Sequence, residues 1–104
     1  MSQFDVYENP ITRARRAYPF VVVLQSDLAD TGRERIVAPL APRGRMSPTT
    51  GRLTPHVKVA GTEHVVLVPN LAALPATDLR DVRGQLTQYR AELVAAIDYL
   101  FLGV

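Results

Sequence analysis

The side chains able to do chemistry are few, and their spacing limits what each can do. His56 and His64 are the only histidines. They flank an Ala60-Gly61 turn signal, and strand alternation around a two-residue turn sends them to opposite faces of one hairpin. A metal pair or a proton relay needs a shared face, so both are expected as solvated strand histidines. Asp27, Asp30 and Thr31 could hold magnesium or act as an acid pair. Beside Ser26 and Gly32, however, aspartates more commonly bond the backbone of their own turn. Ser26 has no evident base, and no nucleophile elbow, phosphate loop or dinucleotide fingerprint occurs. The absence of cysteine removes disulfides, thiolate zinc sites and cysteine nucleophiles. No catalytic residue, metal or cofactor is assigned.

Arginine gives a stronger signal. Arg13, Arg15 and Arg16 fall in one predicted loop, and Arg43 and Arg45 in another. Eleven of the twelve basic residues are arginine, the side chain suited to bidentate carboxylate or phosphate contact. Up to Arg52 eight arginines face five acidic residues, whereas from Leu53 onward four basic residues face five acidic ones. Two arginine-rich loops on the basic half suit a flexible acidic segment or a nucleic acid. Solvated loops and arginine-rich codon usage account for the same bias. Few aromatics in these loops and no tryptophan anywhere weigh against single-strand binding by stacking.

The elements that would position these residues are mostly strands. A length of 104 residues, 47% hydrophobic, predicts one domain spanning 1–104 with a modest core. No apolar run approaches the roughly 18 residues of a membrane span, and MSQFDVYENP lacks the pattern of a signal peptide, so a cytoplasmic protein is expected. Gln3 to Glu8 alternates as a half-buried strand. Tyr18 to Gln25 is apolar on both faces and predicts a central strand. Ser26 to Gly32 predicts a turn, and Arg35 to Leu40 a strand whose Pro39 suits an edge or bulge. Ala41 to Arg52 reads as a long exposed loop. A hairpin follows, Leu53 to Val59 and Glu63 to Val68, with Lys58 opposite Glu63. Asn70 to Asp78 holds the short run LAAL, and Asp78 to Gly84 leads into a helix. The sum is a mainly β, mostly antiparallel domain closed by one C-terminal helix.

That helix, predicted over Gln85 to Val104, shows two apolar faces. Leu86, Tyr89, Leu93, Ala96, Ile97, Leu100 and Val104 recur at helical spacing and predict the core face. Leu102 falls almost opposite them, with Tyr99 and Ala95 nearby. One face is expected to cover the core and the other to meet a partner.

These segments, taken in order, resemble the CcdB family, toxins of plasmid and chromosomal toxin–antitoxin modules. QFDVYENP resembles the family's opening, and LQSDLADTGRERIVAPLAP its most recognisable block. PHVKVAGTEHVVLVPNLAALP and the closing AIDYLFLGV continue the match over essentially the whole chain. The resemblance implies a small antiparallel, barrel-like (SH3-like) domain with a C-terminal helix, forming a homodimer without a cofactor. It implies a non-enzymatic poison that binds the A subunit of DNA gyrase and traps the cleaved gyrase–DNA complex. The contact residues would be Asp98, Tyr99, Leu102, Gly103 and Val104. It also implies a CcdA-like antitoxin with a disordered acidic tail, for which Arg13, Arg15, Arg16, Arg43 and Arg45 are the candidate contacts. The sequence departs from the family where Leu102 replaces an aromatic residue, typically tryptophan, and where Asp98 stands for a frequent asparagine. Losing an indole from an interface centre removes several kcal/mol, so another topoisomerase target, or antitoxin binding alone, is the alternative. A MazF-type endoribonuclease, similar in fold, is a further one, although no spacing here brings an acid and a base together.

Overall fold

The computed structural model describes residues 1–30, 32–45 and 51–104, with Arg45 described by its backbone alone. Among the described residues seven strands and one α-helix follow in the order β1 (Asp5–Glu8), β2 (Phe20–Val23), β3 (Glu34–Pro42), β4 (His56–Val59), β5 (Thr62–Val66), β6 (Ala72–Pro75), β7 (Val82–Gln85) and α1 (Arg90–Leu102). The antiparallel sheet runs β4-β5-β3-β2-β1-β7, with β6 pairing β3 beside β5. Its two ends curl toward each other. A side chain at Gly84 of β7 would stand 3.7 Å from Val59 Cγ1 of β4. The Lys58 N–H of β4 donates to Tyr89 Oη at 3.1 Å, so a side chain at the head of the helix covers this edge.

Alternation along the strands divides the core. Val6, Val22, Leu24, Ala38, Leu40, Val57, Val59 and Val66 point inward and pack with Phe4, Leu86, Leu93 and Ala96. Tyr7, Val21, Val23 and Val37 occupy the other face beneath Leu79. β2 is therefore buried on both sides, as its composition predicts. β1 is more buried than expected, because Tyr7 lies under Leu79 and Leu74 rather than in solvent.

Two strands escaped the sequence reading. β6 arises from the LAAL run, and β7 from the supposed lead-in to the helix. Pro39 is also misplaced by that reading, since it lies within the best-connected strand. Its carbonyl accepts from Leu67 N, so its missing N–H faces the junction where β3 exchanges β6 for β5 as partner. β3 continues through Ala41 and Pro42, which pair with Val65 and His64 and shorten the predicted loop. Residues 46–50 of that loop lie outside the described residues. In the β4–β5 hairpin, Lys58 does oppose Glu63. Ala60 and Gly61 adopt φ of 52° and 79°, the two positive values of a tight hairpin turn.

The helix is shorter at its start than Gln85. Leu86 donates to the Phe4 carbonyl, Thr87–Tyr89 form one 3-10 turn, and α1 begins at Arg90. Phe4 has φ of 69°, a costly left-handed conformation for a side-chain-bearing residue. Its N–H bonds Val23 and its carbonyl accepts from Leu86, while the ring is buried in the core and capped by Arg90. These contacts hold the strained residue and fix where the helix leaves the sheet.

Candidate functional site

Along α1, Leu93 and Ala96 are buried, and Tyr89, Val94, Ile97 and Leu100 pack against the same core. Gly103 then takes the left-handed conformation at φ 72°, and its N–H bonds the Tyr99 carbonyl, ending the helix. Val104 consequently lies beyond the helix and off the core, contrary to its place on the predicted stripe. It is 77% exposed, with Leu102 at 71%, Phe101 at 65% and Tyr99 at 40%. The outward face of the last turn is therefore apolar, with Asp98 exposed at its border. Phe101 belongs to this surface, although the sequence reading did not single it out. The aliphatic and aromatic run LFL surrounds it with residues of the same kind, so helical periodicity gives it no distinctive place. Leu28, nearly fully exposed in the 3-10 turn Asp27–Ala29, was missed for the opposite reason: the surrounding polar turn concealed a single apolar tip.

The arginine loops leave the sheet from one end, because Glu8, Phe20, Leu40 and Val66 align across β1, β2, β3 and β5. Their guanidinium groups are nevertheless drawn into separate contacts. Arg15 pairs with Glu8 at 3.3 Å and donates to the Asn9 carbonyl at 2.6 Å. Glu8 also meets Arg83 at 3.7 Å. Arg15, Arg80 and Arg83 line a cleft of about 360 Å³ with Glu8, Pro10, Asp78 and Asp81. Arg80 and Arg83 come from the β6–β7 region and were not among the predicted contacts. Arg43 pairs with Glu63 at 3.3 Å beside a second, shallower depression lined by Gly44, Gly61 and Thr62. Arg13 and Arg16 are exposed on the β1–β2 connection. The Arg45 side chain lies outside the described residues.

The remaining candidates have structural roles. His56 and His64 face opposite sides of the hairpin, as the register requires, but His64 is not solvated. It is buried, its Nδ1 lies 2.9 Å from the Thr62 carbonyl, and its ring meets Phe20 edge-on at 5.4 Å between centroids. Ser26 Oγ caps the following 3-10 turn by accepting from Leu28 N. Asp27 accepts from Gln3 N, and Asp30 accepts from Gly32 N while pairing with Arg35 at 2.8 Å. Thr31 lies outside the described residues. Among the described residues no three acidic, histidine or cysteine side chains are grouped to hold a metal ion, and no helix is long and apolar enough to cross a membrane. Burial, then the nearby Asp5 carboxylate, raises the Tyr7 hydroxyl above its ordinary value, against the opposing charge of Arg35.

The family model described as CcdB protein matches residues 3–103, nearly the full sequence. The chain belongs to the CcdB family. Its curled antiparallel sheet with one C-terminal helix is consistent with the CcdB fold, and membership makes it a toxin of the CcdB type. No curated protein was found to match it. Within this CcdB protein, the exposed helix end and the arginine-bearing end of the sheet both lie outside the buried core.

Proposed function

We propose that this CcdB protein works as a homodimer that engages the A subunit of DNA gyrase with its C-terminal helix end and traps the cleaved gyrase–DNA complex. The observation that carries this reading is the apolar outward face of the last turn. Tyr99, Phe101, Leu102 and Val104 are exposed together, although an isolated domain gains nothing by leaving such residues in water. Gly103 ends the helix and frees Val104 to extend beyond it. Asp98 borders the contact. Leu102 stands where the family usually has tryptophan, and the neighbouring Phe101 supplies aromatic surface beside it. Neutralisation is assigned to an antitoxin whose disordered acidic tail meets Arg13, Arg15, Arg16, Arg43 and Arg45, with the whole chain acting as one domain.

The test is DNA cleavage by gyrase from the protein's own host, with supercoiled DNA and purified protein. Linear DNA is expected to accumulate after denaturation of the enzyme. Its absence over a full titration, with gyrase otherwise active, rules out poisoning. Long RNA incubated with the protein alone should remain intact; cleavage would instead support a ribonuclease.

A further inference from the structure

Arg52 lies on the connection between β3 and β4, remote in sequence from the helix, yet its guanidinium carbon sits 5.1 Å from the centroid of the Tyr99 ring. Tyr99 precedes Leu102 by three positions, so the two side chains share one face of α1. Both Arg52 and Tyr99 are exposed, and among the described residues Arg52 takes part in no ion pair. A guanidinium stacked on an aromatic face keeps the N–H donors at its edge available, in a planar fork that matches a carboxylate. Stacking also limits the rotamers the long side chain must give up on binding. Here the stack lies one helical turn before the exposed Leu102, an apolar knob at the end of α1.

We propose that Arg52 is a specificity-determining residue of the target-binding surface, where its stack on Tyr99 presents a carboxylate-binding fork beside that knob. The matching segment of the target places a carboxylate at the rim of an apolar socket. Interfaces draw much of their affinity from arginine and tyrosine at positions of this kind. The inference rests on reading the helix end as the gyrase-facing surface, and it adds a second chain segment to that surface.

The experiment measures binding of the full-length gyrase A subunit from the protein's own host, without DNA, to the wild-type protein and four variants. Arg52→Ala is expected to weaken Kd about tenfold, and Arg52→Lys, which keeps the charge but not the fork, by less. Tyr99→Leu should also weaken binding, and adding Arg52→Ala to it should cause much less than a further tenfold loss, because the stack is already gone. Melting temperatures of the Arg52 variants should match the wild type. Unchanged affinity in Arg52→Ala, with the wild type binding normally, overturns the inference alone. An effect of Arg52→Ala seen only when DNA is present would assign the fork to phosphate and also overturn it. So would a change confined to self-association, which would make the stack part of a contact between copies of this chain. No binding by the wild type would remove the gyrase reading and this inference together.

Discussion

Leu102 keeps 71% of its surface in water, and among the described residues it is not part of the buried core cluster. Its replacement therefore separates function from folding more cleanly than any change on the inner face of α1. Leu102→Glu introduces a charge that cannot enter an apolar socket unpaired. It is expected to abolish gyrase-dependent DNA cleavage while altering stability by no more than about 0.5 kcal/mol. Denaturant titration and the cleavage assay on one preparation check both halves. Tyr7 offers a second test at this scale, of stability rather than binding. Burial raises its pKa, so the folded protein holds the hydroxyl proton at pH values where the unfolded chain has released it. This contribution is fully present below the ordinary value near 10 and is lost as pH rises through the higher folded value. Unfolding free energy should thus fall more steeply as pH rises above about 10 in the wild type than in Tyr7→Phe. Equal slopes would show that Tyr7 is not the responsible group.

At the scale of elements, the β4–β5 hairpin carries its own test. A type I′ turn wants residues that tolerate positive φ at both central positions, and Gly61 does so freely. Ala60, at φ 52°, does not. Ala60→Asn should stabilise the protein by roughly 0.5–1 kcal/mol, visible as a rise in Tm of a few degrees. A fall would mean that the turn takes another conformation in solution. The turn, its register and the doubly buried β2 were legible because each rests on local pattern: Gly after Ala, alternation, and β-branched runs. β6 and β7 were not, because VRGQ and AALP have weak strand propensity and exist through their neighbours. β6 fills the flank of β3 left open beyond β5, and β7 pairs with β1 as the chain returns to the helix. The helix end was half legible. Periodicity separated Leu102 from the core, but the same periodicity placed Val104 on the core stripe by extending the helix past Gly103. His64 misled for a related reason, since strand alternation gives its face and not the Phe20 ring that covers it.

The whole molecule joins two proposed binding surfaces to one small core, and the arginine-bearing end can be tested as a unit. Both loops leave the same end of the sheet, so an extended acidic chain running along that end meets Arg13 and Arg43 in turn. Existing ion pairs offer little resistance. Exposed pairs such as Arg43–Glu63 are worth about 0–1 kcal/mol, and an incoming carboxylate can replace one at small cost. Arg15 is less available, being tied to both Glu8 and the Asn9 carbonyl. Arg13 is exposed on its short 3-10 turn. The double variant Arg13→Glu with Arg43→Glu is therefore expected to weaken binding of a disordered acidic peptide by at least about tenfold in 0.1 M salt, where screening acts over roughly 10 Å. The deficit should shrink at 1 M salt, where the screening length is about 3 Å. Arg33→Glu supplies the control. It lies just before β3, at the other end of a nine-residue strand that spans roughly 30 Å. That distance exceeds the screening length, so a local site predicts little effect from Arg33→Glu. If its loss per altered charge equals that of the double variant, the peptide is responding to the net charge of the protein, and the arginine loops do not form a site.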